Sequence, residues 1–185
     1  CIRDRLSPAI LQSASQALES GTDFEWLESL DTVSELLIVI GEYGEDAFIE
    51  IQNLILIHCS LGKGSSNHAR SALFRLAGAH QERDEYDKAL SALSRCAEAN
   101  ENSQDYDPET KVQILAHFGT LYTDTGDLAK AETALTEALE LSREVLCESD
   151  PNIGVILNGL GHLYRGTGRY KDAWDAFNAC LLYTS

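Results

Sequence analysis

Residues 115–138 read LAHFGTLYTDTGDLAKAETALTEA, and residues 157–180 read LNGLGHLYRGTGRYKDAWDAFNAC. One pattern is written twice. Gly119 and Gly161 stand 42 residues apart, and so do Tyr122 and Tyr164, Gly126 and Gly168, Ala131 and Ala173. The same step backwards reaches Leu73, Leu76, Ala77, His80, Tyr86, Ala89, Leu93 and Cys96, a third and weaker copy. Self-similarity at a fixed period predicts a repeat architecture and outranks any local propensity.

Each slot has a mechanical reading. Leu115, Phe118 and Tyr122 are spaced by three and four, so they share one face of a helix. Gly119 interrupts that face, as expected where a neighbouring backbone comes close. Gly126 ends the helix in a turn, where positive φ costs glycine nothing. The second helix carries Ala131, Leu135 and Ala138 on one face, small beside large, and can nest against the first. One such pair leaves an apolar stripe uncovered, whereas stacked pairs bury it.

These residues resemble the tetratricopeptide repeat: a leucine, a large apolar residue with Gly, then Tyr, a turn Gly and a small–large–small second helix. The usual unit is about 34 residues. Here the period is 42, with Asp107-Pro108 and Asp150-Pro151 opening successive units. That longer form is similar to the repeats of kinesin light chains and many scaffold proteins. The resemblance covers roughly residues 68–182 and implies an all-α fold, a right-handed superhelical solenoid of antiparallel helix pairs. The division expected is a helical N-terminal cover or degenerate repeat over 1–62, then repeats over 67–107, 108–150 and 151–182, the last truncated.

Before the repeats, residues 7–19 read as a helix opened by Ser7-Pro8. A short helix from Thr22 or Asp23 to Leu30 follows, bearing Phe24, Trp26 and Leu27. Trp26 there can cover the end of the array or bind a partner. Thr32 to Glu42 and Glu45 to Leu61 form a further pair, with Glu35 where the 42-residue register wants a small residue. Ser66 or Asn67 can cap the next helix. Helix pairs are then expected near 67–83 and 85–99, 108–124 and 127–147, 151–166 and 169–182, with a polar loop over 100–107. Pro108 to Gly119 is one residue longer than Pro151 to Gly161, so an extra residue enters the middle repeat.

Composition narrows the function. The 185 residues are 44% hydrophobic and carry a formal net charge of −16. Such a charge argues against nucleic acid or an anionic membrane, because phosphate recognition needs a basic footprint. It favours a neutral or basic protein partner, or simply a solvated acidic surface. Five cysteines at 1, 59, 96, 147 and 180, irregularly spaced, suit a reducing cytoplasmic setting, with Cys96 and Cys180 in the slot Ala138 fills. No stretch is long and apolar enough to predict a membrane span. The start at Cys1 and the stop in Leu-Leu-Tyr-Thr-Ser are read as a piece of a longer chain.

No catalytic constellation emerges. His58 and Cys59 are adjacent on a helix, where neighbouring side chains diverge. The five histidines never fall four apart, so no zinc helix of the H-E-x-x-H kind exists. Gly62-Lys63-Gly64-Ser65-Ser66 lacks the first glycine and the leading strand of a phosphate loop. Asp124 to Asp127 is too short for a calcium loop. The chain is read as a non-enzyme without cofactor or metal.

Function is then expected on a surface. In tetratricopeptide arrays the first helix of each pair lines a concave groove that takes a peptide or docked helix. By register the inward residues are Phe74, Arg75 and Gln81; Gln113, His117 and Thr120; and Asn158, His162 and Arg165. Phe74 can alternatively pack under the N-terminal helices. In kinesin light chain-like repeats an Asn after the first Leu grips peptide backbone. Asn158 matches it, whereas Ala116 and Phe74 do not. The Lys and Asn set that clamps a C-terminal carboxylate in chaperone-binding members is missing. The leading expectation is a protein-interaction scaffold. Its alternatives are a regulatory or sensor arm of a larger signalling NTPase or protease, and self-association through Leu181 and Leu182 of the uncapped last repeat.

Overall fold

The structure, a computed structural model, describes residues 23–39, 46–62, 65–104, 106–147 and 149–183. The expected helix over 7–19 and the turn over 41–44 lie outside the described residues, as do the side chains of Phe24 and Trp26. The described secondary structure is entirely helical: α1 Asp23–Val39, α2 Asp46–Ser60, α3 Ser66–Glu82, α4 Tyr86–Glu101, α5 Pro108–Asp124, α6 Leu128–Val145, α7 Pro151–Gly166 and α8 Tyr170–Tyr183. The fold class is the expected all-α repeat of helix pairs. Two compact units divide between Ala99 and Asn100.

In the first unit, α1 departs from expectation. It runs unbroken where two helices, ending at Leu30 and beginning at Thr32, were expected. The reason is a stripe that crosses the supposed break: Leu27, Leu30, Ser34 and Leu37 are all buried and fall at helical spacing. They join Phe48, Ile51 and Ile55 of α2 with Ala72 and Ala79 of α3 in one core. Ser34 belongs there because its hydroxyl is occupied twice. It donates to the Leu30 carbonyl (2.8 Å) and accepts from Gln52 Nε2 (2.8 Å). Asp31 is held on the outer side by Arg75 of α3 (2.7 Å). Ser65 caps α3, one residue before the expected cap, accepting from the His68 amide.

In the second unit, α5 packs on α6, α6 on α7 and α7 on α8, while α5 also lies beside α7. Asp107 caps α5 through the amides of Glu109 and Thr110, and Asp150 caps α7 through that of Asn152, with Pro108 and Pro151 as first helical residues. Each Asp-Pro step thus satisfies orphan amides and presets φ; such a cap stabilises by about 1 kcal/mol. The loop expected from residue 100 begins later, because α4 extends to Glu101. Asn100 is buried there, with its amide donating to the Asp107 carbonyl (2.9 Å) and its oxygen accepting from the Asp107 amide (3.3 Å). α5 has 17 residues and α7 has 16, so the extra residue is accommodated inside the helix.

The glycines of the repeated face correct one expectation. What comes nearest to Gly119 is a side chain rather than a backbone. A Cβ built there would lie 2.3 Å from Cγ of Leu135, and one at Gly161 would lie 2.5 Å from Cε1 of Phe177. Each glycine is a notch for the large side chain of its own second helix. A Cβ built at Gly159 would also lie close to Leu135, 3.2 Å from Cδ2, so that leucine sits between two helices of successive pairs. The turn glycines behave as expected, with φ of 81° at Gly126 and 77° at Gly168. In the weaker copy the same position is Asp84, which adopts φ 58° without being glycine.

Candidate functional site

The first helices α5 and α7 of the second unit lie side by side, and the 42-residue register aligns their surfaces rung by rung. Gln113 matches Val155, Ala116 matches Asn158, Thr120 matches His162 and Thr123 matches Arg165. Buried residues alternate with these rungs: Val112, Ile114 and Leu121 on α5, and Ile153, Ile156, Leu160 and Leu163 on α7. With those faces committed to packing, Gln113, Val155, Asn158, His162 and Arg165 stand exposed, while Thr120 and Thr123 are half-buried.

Local bonds tie the threonines to their own helix. Thr120 donates to the His117 carbonyl and Thr123 to that of Gly119, both at 2.8 Å. On α7 the Arg165 guanidinium lies 3.3 Å from Nδ1 of His162, and the His162 ring meets the edge of Phe177 with centroids 5.4 Å apart. His162 is therefore oriented by α8 from behind and by Arg165 beside it. The result is a strip of amide, imidazole and guanidinium groups, suited to hydrogen-bonding a peptide.

His117 stands elsewhere on α5. Its register equivalent is Gly159, the residue that faces Leu135 of the preceding helix. His117 is half-buried, and burial pushes its imidazole below the usual histidine range, opposed in part by the Asp124 carboxylate. Arg75 occupies the same register on α3 and points its guanidinium at Asp31 and Glu35 of α1. Phe74 and Gln81 are half-buried within the first unit.

Other candidates resolve into structure. Cys96 is fully buried, its Sγ 3.4 Å from the Arg70 carbonyl, and burial raises its thiol to about 11. Cys180 is half-buried at the equivalent position. His58 is buried in α2. Among the described residues no group of three or more His, Cys, Asp or Glu side chains could hold a metal, and no helix is long and apolar enough to cross a membrane. An apolar hollow of about 380 Å³ lies along α5 and α6, lined by Leu115, Phe118 and Tyr122, with Lys130 Nζ 5.4 Å from the Tyr122 ring. The equivalents of Phe118 and Tyr122 on α7, Leu160 and Tyr164, pack into the core shared with α6.

The sequence reading missed one surface. Tyr170 and Trp174 of α8 are 72% and 68% exposed, and only Leu181 beside them had been singled out. The available signal was the register, since Trp174 stands where the middle repeat has Glu132.

Comparison with known proteins accords with this architecture. The tetratricopeptide repeat matches residues 68–144 and again 110–181. The crystal structure of BtubC (BKLC) from P. vanneervenii superposes with a TM-score of 0.75 at 19% identity, covering 98% of this chain and 71% of that one. A protein from Podosopora anserina, described as a putative kinesin light chain with nearly identical TPR-like repeats, superposes at 0.53 with 15% identity, covering 97% and 95%. A single-substitution form of that protein gives 0.54 at 14% identity, covering 97% and 94%. At such identities the likeness is one of fold. No curated protein matches the chain in sequence. The chain belongs to the tetratricopeptide repeat family, whose repeats generally serve protein–protein interaction.

Proposed function

We propose that the strip formed by α5 and α7 binds an extended or helical segment of another protein, and that the chain acts as a non-enzymatic scaffold with repeats over 67–107, 108–150 and 151–182. The observation that carries this reading is the exposure of Gln113, Asn158, His162 and Arg165 on adjacent first helices whose other faces are spent on packing. Each offers hydrogen-bonding groups at spacings of three and four along the helix or across to its neighbour, which suits a main chain laid over them. Asn158 holds the position that the kinesin light chain resemblance gives to backbone recognition.

Net charge alone favours a neutral or basic ligand. The rungs themselves carry Arg165 and His162, so a neutral polar segment fits this strip better than a basic one. The test is selection of binders from a random peptide library, followed by fluorescence anisotropy with the selected peptides. Asn158→Ala and Arg165→Ala should each weaken them about tenfold, the loss of one or two good hydrogen bonds. Peptides that bind both variants at full strength would place the interaction on another surface.

A further inference from the structure

The strip of α5 and α7 is not uniform along its length. On α7, Val155, Asn158, His162 and Arg165 follow one another at spacings of three and four, so they form one line of exposed side chains. The line begins with an aliphatic group, 58% exposed at Val155, and ends with the Arg165 guanidinium. Val155 is not open for want of a neighbour, since its equivalent Gln113 is exposed although α7 lies beside α5. An apolar residue at this rung is therefore a feature of α7 itself.

Arg165 stands apart from the other cations of so acidic a chain. Arg75, Arg83, Lys88, Lys130 and Arg169 each have a carboxylate oxygen at 2.5–3.2 Å. Arg165 has none among the described residues, and its guanidinium instead meets Nδ1 of His162 at 3.3 Å. Its remaining N–H groups lie in a planar fork, the shape that takes a carboxylate two oxygens at a time.

We propose, on the reading that this strip binds a protein segment, that the segment lies extended, with an apolar residue over Val155 and a side-chain carboxylate on Arg165, four residues apart. The extended form follows from Asn158, because an amide grips a backbone only where its groups are not spent within a helix. The spacing follows from α7. Ten residues separate Val155 from Arg165, about 15 Å at a rise of about 1.5 Å each. An extended chain covers about 3.3 Å per residue, and only residues an even number apart point the same way, so four fits and five does not. The long side chains of Arg and Glu span the remainder. The anion is a carboxylate rather than a phosphate because Arg165 stands one residue before the end of α7, where the negative end of the helix dipole disfavours a double charge. A run of acids would be repelled by the net charge of −16, so one acid is the expected number.

The probes are short peptides selected from a random library, fluorescein-labelled and blocked at both termini so that only a side chain offers a carboxylate. They should carry an apolar residue and an Asp or Glu four positions apart, in either order. In anisotropy titrations, Gln in place of the peptide's Glu, or Arg165→Gln in the chain, should each weaken binding about tenfold, and the two losses should not add. Moving the Glu by one position should weaken binding as much, and so should Val155→Asp. Lys171→Gln, which removes an exposed charge of α8, should change nothing. Peptides that lose affinity with Asn158→Ala yet show no acid at that spacing, or additive losses, overturn this inference and leave the strip as the binding surface. A phosphoserine that binds more tightly than the Glu it replaces overturns it as well. Peptides indifferent to Asn158→Ala, Arg165→Gln and Val155→Asp overturn the strip reading and this inference with it.

Discussion

Gly161 and Gly119 show how one residue's missing Cβ decides where two helices meet. The Phe177 ring crowds a Cβ at Gly161 from three atoms, at 2.5, 2.7 and 2.8 Å, and the ring is held in turn by His162. Gly161→Ala should therefore destabilise by about 1–3 kcal/mol, the usual cost of overpacking a core, measured as a lower urea midpoint. Asp84 offers the opposite change. It holds φ 58° in the turn where the stronger copies have glycine, and its carboxylate accepts only an exposed bond from the Tyr86 hydroxyl (2.7 Å). Asp84→Gly should stabilise by up to about 1 kcal/mol, because a left-handed residue other than glycine bears a steric penalty. A measured destabilisation would mean that the Tyr86 bond outweighs the strain.

At the scale of elements, the continuity of α1 rests on a polar pair inside an apolar core. Gln52 is fully buried, its amide nitrogen satisfied by Ser34 and its oxygen without a partner among the described residues. Ser34→Ala removes the acceptor and leaves the buried amide unpaired, a loss of about 1–3 kcal/mol. Adding Gln52→Leu should recover most of that loss, since no polar group then remains to satisfy. Chemical denaturation of the single and double variants checks both steps. A double variant as unstable as the single one would show that Ser34 matters through its bond to Leu30 instead. Helices α3 and α5 to α8 were legible almost to the residue, because caps, proline starts and turn glycines are local chemistry. The join within α1 was not, because Asp31-Thr32 looks like a stop until Leu27, Leu30, Ser34 and Leu37 are seen to share one buried stripe.

For the molecule as a whole, the net charge of −16 sets a repulsive background that compact ion pairs such as Arg169 with Glu132 and Asp172 offset only locally. Raising salt from very low to physiological levels should screen the repulsion and lift the melting temperature by about 2–4 °C, the shift that ~1 kcal/mol produces at this length. A fall instead would mean that the ion pairs outweigh the repulsion. The candidate binding strip was only partly legible. Asn158, His162, Arg165 and Gln113 could be named from register alone, because repeat positions map onto helix faces. His117 is half-buried and Arg75 turns to Asp31 and Glu35 of α1, outcomes the spacing of one helix does not reveal.

The amino-acid sequence by itself determined the repeat, its 42-residue period, its helix ends and its family, because each depends on residues near one another in the chain. Tertiary structure decided what fills each notch, where α1 runs on, and which polar side chains of α5 and α7 remain open to a partner. Those depend on distances between helices far apart in sequence, where a leucine or a phenylalanine takes the space that a glycine leaves.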